Sequence, residues 1–303
     1  MKLGHLDISQ GHIKWAAEGT FTALSLFSLM ITGAYFATQE KLNAAQSASP
    51  ALAFPIRVEA PIEAKSAIVY DTVTGEVLFA RYADVERPLA SLTKLMSAEA
   101  ILSVKNETER VSITADDLRP EGDSGLKVGD IWSLKNLLTY GLVQSSNDAM
   151  AAAAASAGTS SIVSRMNEVA AELGLTHARF ENPTGLDIDT ESAGAYGSAR
   201  DIALLAADFL KRYPELFSKT VSPKTEISVG GVVFEAKPTA APILDIPGLL
   251  GAKTGYTDLA GGNLVAAFDL SINHPVVVVV LGSSVEGRFS DVRSLIEATR
   301  LER

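Results

Sequence analysis

The sequence contains no cysteine and only four histidines, and these two scarcities remove several classes of chemistry. Without cysteine the chain forms no disulfide, has no thiol nucleophile and offers no thiolate to a metal ion. Two of the histidines, His5 and His12, lie near the N-terminus, and no histidine cluster has the spacing of a metal site. The sequence therefore argues against a thiol enzyme and a zinc hydrolase, and it predicts no metal and no cofactor.

Basic residues are scarce relative to acidic ones, because 26 Lys and Arg stand against 36 Asp and Glu and give a formal net charge of −10. Nucleic-acid binding requires a basic surface that replaces the counterions around phosphates. We therefore predict no nucleic-acid partner. Hydrophobic residues make up 47% of the 303 residues, which is enough to bury one large core or two modest ones.

Charge is absent altogether from residues 19–39, and most of this run is apolar. Such a run is long enough to cross a bilayer. Two interpretations stay open, a retained membrane anchor and a cleaved signal peptide, and the long lead with balanced charge favours the anchor. The sequence thus predicts a short tail (1–18), the apolar segment (19–39), an Ala-, Ser- and Pro-rich linker (40–62) and a folded domain (63–303) outside the cytoplasm.

The folded part begins and ends with strand patterns and has helical patterns between them. Short β-type runs flank turn signals within 67–79 and 227–234, and strands follow at 264–268 and 276–281, the last with five consecutive valines typical of a central strand. Helical periodicity predicts helices after Ser91, after Ser133 and on through the alanines at 151–155, and over 162–173, 199–212 and 290–301. We therefore predict an α+β fold in which both chain ends build one sheet and a helical subdomain is inserted between them.

Ser91-Leu92-Thr93-Lys94 places a hydroxyl and an amine three residues apart, on one face of a helix and within hydrogen-bond reach. A lysine that lacks its proton can activate a serine as a nucleophile, provided that burial or a neighbouring cation lowers the lysine pKa. A helix N-terminus adds free N–H groups that favour an oxyanion. Capping the helix is the alternative duty for Ser91, and Ser124-Gly125-Leu126-Lys127 repeats the spacing in a loop.

Two further patterns are polar breaks in apolar surroundings. Ser145-Ser146-Asn147 follows the helix after Ser133, where polar side chains either cap the next helix or face a cleft. Lys253-Thr254-Gly255-Tyr256 precedes the strand at 264–268 and offers an ammonium, a hydroxyl and bare backbone N–H groups to an anion, or else forms a surface turn. Each pattern alone has low specificity, but their order along the chain rarely arises by chance.

In this order, Ser-x-x-Lys, Ser-x-Asn and Lys-Thr-Gly form the motif set of penicillin-binding proteins and class A β-lactamases. From about Ala67 to the last helix the chain resembles the low-molecular-mass penicillin-binding proteins that act as D-alanyl-D-alanine carboxypeptidases. The resemblance also rests on longer stretches, at 88–96, 144–149, 182–187, 198–201 and 251–257. It implies a β-lactamase/DD-peptidase-like fold, a place in the cell envelope, peptidoglycan stem peptides as substrates and β-lactam antibiotics as covalent inhibitors.

The same resemblance implies roles for individual residues. Ser91 would attack the carbonyl between two D-alanines, Lys94 would take its proton, and Ser145 would relay a proton to the departing D-alanine. The charge of Lys253 would lower the pKa of Lys94. The backbone N–H groups of Ser91 and Tyr256 would hold the oxyanion, and the implied substrate-binding residues are Asn147, Lys253, Thr254, Gly255 and Tyr256.

Departures from the family pattern keep alternatives open. Where the family has an Asn- or Arg-containing loop for the substrate carboxylate, the sequence has Lys237-Pro238-Thr239-Ala240. The C-terminal β-rich domain and membrane-binding helix of many members are not expected here, so the N-terminal apolar segment would supply the membrane attachment. A DD-endopeptidase fits the same motifs. A class A β-lactamase fits less well, because no Glu-x-x-x-Asn motif occurs around Glu181, and a catalytically silent wall-binding or β-lactam-sensing membrane protein is the third alternative.

Overall fold

The computed structural model describes residues 59–122 and 125–302. The predicted tail, the apolar segment 19–39 and the predicted linker up to residue 58 lie outside the described residues, as does Ser124. No helix in the described part of the chain is long and apolar enough to cross a bilayer.

A five-stranded antiparallel sheet joins the two ends of the described chain, as predicted. The strand order is β10-β11-β12-β1-β2. The five strands are β1 (Ser66–Asp71), β2 (Val77–Arg81), β10 (Leu249–Thr257), β11 (Gly261–Asp269) and β12 (Pro275–Ser283). β12 is the middle strand and carries the five valines, all fully buried, whereas β10 is an edge strand.

Seven helices occupy the described residues, most of them between β2 and β10. They are α1 (Thr93–Val104), α2 (Leu134–Val143), α3 (Asn147–Ala155), α4 (Thr159–Glu172), α5 (Ala199–Arg212), α6 (Pro214–Lys219) and α7 (Gly287–Leu301). Short 3-10 turns lie at Ala90–Leu92 and Ala241–Ile243.

The helices in the structure differ from the predicted ones in several bounds and by one additional helix. The alanine run does not prolong α2, because Ser145 has a φ of +61° that ends the helix and Ser146 caps a new one. The helix α6 was not predicted; it starts at Pro214, whose fixed φ suits a first helical position. The last helix begins at Gly287, three residues before the predicted start.

Seven short strands form smaller sheets around the helices. The hairpin predicted around Gly230-Gly231 is present, with both glycines at positive φ. The other short strands have two or three residues each, too few to leave a periodic signal. These strands are β3 (Arg87–Pro88), β4 (Arg110–Ser112), β5 (Ile131–Ser133), β6 (Arg179–Phe180), β7 (Ala195–Gly197), β8 (Thr225–Val229) and β9 (Val232–Ala236).

Hydrophobic cores cover both faces of the main sheet. Val277 and Val279 belong to the core shared with α1 and α5, while Val276, Val278 and Val280 belong to the core under α7. Alternate side chains of a strand point to opposite faces, which is why a continuous apolar strand is required here. The edge strand β10 packs beside the 3-10 turn that precedes α1.

Candidate active site

Ser91 and Lys94 meet at the start of α1. Ser91 lies in the 3-10 turn Ala90–Leu92, and Lys94 lies in the first turn of the α-helix. The Nζ atom of Lys94 is 2.8 Å from Ser91 Oγ, 2.7 Å from Asn147 Oδ1 and 2.7 Å from the carbonyl oxygen of Thr184. Lys94 is completely buried. The spacing of the two residues along the helix thus produces a direct amine–hydroxyl contact.

Burial lowers the pKa of Lys94 from 10.5 to about 7. Of the two causes expected from the sequence, burial and a neighbouring cation, burial accounts for the lowered pKa of Lys94, and the charge of Lys253 does not. A neutral amine has two N–H donors and one lone pair. The Asn147 and Thr184 oxygens can only accept hydrogen bonds, so they take both hydrogens, and the lone pair then faces the Ser91 hydroxyl. This arrangement would allow a neutral Lys94 to accept a proton from Ser91.

The neighbouring residues Ser145, Ser146 and Asn147 have three different environments. Ser146 Oγ accepts a hydrogen bond from the backbone N–H of Ala149 at 3.1 Å and caps α3. Ser145, with its positive φ, instead lies 2.7 Å from the Nζ atom of Lys253. Helix capping, one of the two alternatives for this segment, thus applies to Ser146, while Ser145 and Asn147 each contact one of the buried lysines.

Lys253, Thr254 and Gly255 lie within β10 and precede β11, which contains the predicted strand 264–268. The alternative of a surface turn is wrong, because Lys253 pairs with Val265 and Thr254 pairs with Leu264 of β11. Gly255 is required by packing, because a Cβ atom there would lie 2.9 Å from the Leu89 carbonyl oxygen and 3.1 Å from Ser91 N. The strand edge therefore approaches the backbone of Ser91 closely, and the half-exposed Tyr256 follows at its end.

Lys253 is the second fully buried amine of the site. Its Nζ atom donates to Ser145 Oγ and to the carbonyl oxygen of Thr254, both at 2.7 Å. Burial, together with the charges of Lys94 and Arg288, holds the pKa of Lys253 well below its usual range. A carboxylate that binds beside Lys253 would reverse this effect, because an opposite charge favours the protonated amine.

Three residues that sequence reasoning missed also contact the site. Arg288 donates from Nη1 to the Gly255 carbonyl at 2.8 Å, and its buried Nε has no hydrogen-bond partner among the described residues. Thr239, from the segment that departs from the family pattern, accepts a hydrogen bond from Thr254 Oγ1 at 2.7 Å. Asn263 donates to the carbonyls of Pro88 and Leu89 and so ties the chain before Ser91 to β11.

Two of these three residues left a signal in the sequence. Asn263 is a polar residue in an otherwise apolar strand, where a hydrogen-bonding duty is expected. Thr239 lies in the segment that replaces the family's carboxylate-binding loop, whereas Arg288 is brought to β10 only by the tertiary fold. In the second Ser-x-x-Lys match, whose Ser124 lies outside the described residues, Lys127 is exposed, unlike Lys94.

The sequence is similar to those of known proteins over most of the folded domain. The profile of the D-alanyl-D-alanine carboxypeptidase family matches residues 54–285. The chain is 31% identical over 256 residues to the D-alanyl-D-alanine carboxypeptidase DacA of Escherichia coli, which covers 78% of this chain and 60% of that protein. It is 30% identical over 273 residues to a D-alanyl-D-alanine endopeptidase of Pseudomonas aeruginosa, which covers 86% of this chain and 82% of that protein.

A solved structure shows the same fold. Penicillin-binding protein D2 of Listeria monocytogenes, crystallised in its cefotaxime-bound form, superimposes with a TM-score of 0.69 at 27% identity, over 79% of this chain and 98% of that one. The mixed fold with a central antiparallel sheet is therefore of the β-lactamase/DD-peptidase type, as predicted. With a family match over most of its length, the chain belongs to the D-alanyl-D-alanine carboxypeptidase family.

Proposed function

We propose that this protein is a serine peptidase that removes the terminal D-alanine from peptidoglycan stem peptides through an acyl-enzyme. One observation carries the proposal: the Nζ atom of the buried Lys94 lies 2.8 Å from Ser91 Oγ, while Ser145 contacts a second buried amine, Lys253. A serine beside an unprotonated base is the arrangement that nucleophilic catalysis requires.

The proposed reaction has two halves. Ser91 Oγ attacks the carbonyl carbon between the two D-alanines and passes its proton to Lys94, while the N–H groups of Ser91 and Tyr256 stabilise the oxyanion. The C–N bond then breaks as Ser145 relays a proton: it gives its own proton to the amine of the departing D-alanine and regains the one held by Lys94. Asn147 holds Lys94 and the substrate amide. Water subsequently cleaves the ester, releases the shortened peptide and returns the proton to Ser91.

The terminal carboxylate of the substrate would bind at β10. Lys253 and Thr254 of β10 would contact it directly, with Gly255 keeping the strand close to the nucleophile. Arg288 adds a cation with a free Nε donor, and Thr239 adds a second hydroxyl beside Thr254. We propose that Thr239 takes the place of the family's usual upstream carboxylate partner.

The release of free D-alanine from a peptide substrate tests this proposal. Purified protein incubated with a stem pentapeptide ending in D-Ala-D-Ala should release free D-alanine, and Ser91→Ala should not. Fluorescent penicillin should label the wild type and Ser124→Ala but not Ser91→Ala. If Ser124→Ala loses the label and Ser91→Ala keeps it, the assignment of the nucleophile is wrong.

A DD-endopeptidase is the second candidate, because the chain is also similar to a D-alanyl-D-alanine endopeptidase of P. aeruginosa, at 30% identity over 273 residues. An endopeptidase would cleave the D-alanyl bond of a cross-link between two stem peptides by the same chemistry. Cross-linked dimeric muropeptides converted to monomers faster than pentapeptides lose D-alanine would favour this candidate.

The remaining alternatives predict different behaviour toward β-lactams. A class A β-lactamase needs a carboxylate that activates the deacylating water, but no carboxylate in residues 59–122 and 125–302 is hydrogen-bonded to Ser91, Lys94, Ser145 or Lys253. Glu181 is exposed. We therefore expect slow release of bound penicillin; rapid turnover of a chromogenic β-lactam would contradict this. A silent wall-binding or β-lactam-sensing protein would be labelled by penicillin without cleaving either peptide.

We also propose that the domain at 63–303 works on the outer side of the cytoplasmic membrane, within the cell envelope. The uncharged run at 19–39 supports this, because it would attach the chain to the membrane or direct its export. The N-terminal sequence of the protein purified from membranes decides between the two: an intact N-terminus means an anchor, and a start near residue 54 means a cleaved signal.

A further inference from the structure

The turn formed by Asn182-Pro183-Thr184-Gly185 contacts the start of α1 at three successive residues. The carbonyl oxygen of Pro183 accepts a hydrogen bond from Ser97 Oγ at 2.7 Å, and that of Thr184 accepts one from Lys94 Nζ at 2.7 Å. Gly185, with a φ of +78°, packs so closely that a Cβ atom would lie 2.0 Å from the carbonyl oxygen of Ala90. The turn therefore contacts Lys94 directly, and it contacts Ala90, the residue before Ser91.

One side chain, Asn182, holds this turn in shape. Its Oδ1 atom accepts hydrogen bonds from Thr184 N at 3.1 Å, Thr184 Oγ1 at 3.0 Å and Gly185 N at 2.7 Å. Its Nδ2 atom donates to the Leu186 carbonyl at 2.9 Å. This is the local side-chain to backbone bonding by which asparagine stabilises turns.

The bond from Gly185 N–H determines where the Thr184 carbonyl points. Both groups belong to one planar trans peptide, in which the N–H and the C=O point in opposite directions. With the N–H held by Asn182 Oδ1 on one side, the carbonyl is directed to Lys94 Nζ on the other. Asn182 thus acts on the amine through a single rigid peptide group.

We propose that Asn182 is a positioning residue that directs the lone pair of Lys94 toward Ser91. This inference rests on the proposed role of Lys94 as the base. If the Thr184 carbonyl turned away, one N–H of the neutral amine would lose its acceptor and could donate to Ser91 Oγ instead. The serine proton would then have no lone pair to move to, although all reacting side chains would remain in place.

The test measures acylation by fluorescent penicillin across pH in Asn182→Ala. We expect the maximal acylation rate constant to fall at least tenfold while the dissociation constant of the initial, noncovalent complex stays within twofold. The acid limb of the rate profile should move to lower pH, because the protonated Lys94 loses an acceptor that stabilises it. Asn182→Asp keeps the Oδ1 acceptor and should restore most of the rate at the top of its profile.

Asn167→Ala is the matched control. Asn167 also ties down this loop, accepting from Phe180 N at 3.0 Å and donating to the Phe180 carbonyl at 2.8 Å, but it has no contact with Lys94. Asn167→Ala should lower the melting temperature and leave the acylation rate constant and the acid limb of its pH profile unchanged. The proposal fails if Asn182→Ala keeps the acylation rate constant and the acid limb of the wild type. It also fails if Asn167→Ala changes the rate constant and the acid limb as much as Asn182→Ala does.

The acylation readout separates this inference from the proposed peptidase activity. It needs Ser91 and a β-lactam but no peptide substrate. If neither pentapeptides nor cross-linked dimers are cleaved while the variants behave as expected, the peptidase proposal fails and the role of Asn182 stands. If the wild type is not acylated at all, both fail.

Discussion

The charge on Lys94 lowers the pKa of Lys253, and the two amines are both completely buried. Two buried ammonium groups so placed oppose each other, so the site favours a state in which one of them is neutral. Lys94, whose pKa burial lowers to about 7 and whose Nζ atom lies 2.8 Å from Ser91 Oγ, suits the neutral role. Lys253, beside Ser145 and at the edge of the sheet, suits the role of a cation once an anionic ligand arrives.

The acylation rate should therefore follow the titration of Lys94. Only the neutral amine accepts the serine proton, and burial lowers the Lys94 pKa to about 7. Below pH 7 the second-order rate constant for acylation by a β-lactam should fall about tenfold per pH unit, and above it should level off. Stopped-flow labelling between pH 5 and 9 measures this. A rate still rising steeply at pH 9 would mean that Lys94 titrates near its ordinary value.

Adjacent serines provide a paired test of catalysis and capping. Ser145→Ala removes the contact to Lys253 and should lower D-alanine release by about 10²-fold, the usual loss for a proton-transfer group. Ser146→Ala removes the cap of α3 and should cost about 1 kcal/mol of unfolding free energy with catalysis largely kept. Urea denaturation and the D-alanine assay on both variants separate the two effects, and the reverse pattern would exchange the assignments of the two serines.

The sequence predicts the main sheet because its strands have strong local signals. The five valines of β12 specify a central strand of this sheet, and the glycines at 230–231 likewise specify the separate hairpin of β8 and β9. Periodicity does not locate the positive φ at Ser145, since serine rarely adopts that conformation and nothing nearby indicates it. Ala90, at a φ of +49° just before Ser91, is a second such case.

The motifs identify the site residues from the sequence, but the groups that surround these residues are determined by tertiary packing. Lys94 and Ser91 could be paired from spacing alone. The hydrogen-bond acceptors around Lys94 could not be identified from spacing, because Thr184 lies 90 residues away from it along the chain. Thr239 and Arg288 likewise reach β10 from separate segments, so the full carboxylate-binding surface emerges only from the fold.

The buried carboxyl of Glu99 should make the free energy of unfolding depend on pH. Glu99 of α1 is fully buried against Arg212, and burial together with Asp208 raises its pKa from 4.5 to about 8. The folded protein then holds a proton between pH 4.5 and 8 that the unfolded chain releases. Stability is therefore highest below that range and falls as the pH rises through 8.

Glu99→Gln tests this dependence. The amide keeps an oxygen acceptor for Arg212 but cannot ionise, so the variant should gain about 1 to 3 kcal/mol relative to the wild type between pH 5.5 and 8.5. Melting temperatures across this range provide the measurement. Glu168→Gln, which alters an exposed carboxylate paired with Arg165, is the control and should retain the wild-type slope. Equal slopes in Glu99→Gln and the wild type would show that Glu99 is ionised in the folded protein.

The pair of hydroxyls at Thr239 and Thr254 should act together on the substrate carboxylate. The hydroxyls lie 2.7 Å apart, so one hydrogen joins them and the other is left to donate. When Thr254 donates to a carboxylate, Thr239 can donate to Thr254 and keep both oxygens satisfied. Thr239→Val keeps the side-chain volume but removes this partner, and it should raise KM for a D-Ala-D-Ala peptide roughly 5- to 30-fold, equivalent to about 1 to 2 kcal/mol, with kcat little changed.

Thr257→Val is the matched control for this substitution. Thr257 ends the same strand, but its hydroxyl contacts Asp187 at 3.0 Å and lies outside the Thr239–Thr254 pair. Its KM should stay within twofold of the wild type. A loss of kcat with unchanged KM in Thr239→Val would instead mean that Thr239 supports the reacting groups, because an interaction made equally in the bound substrate and the transition state changes KM alone.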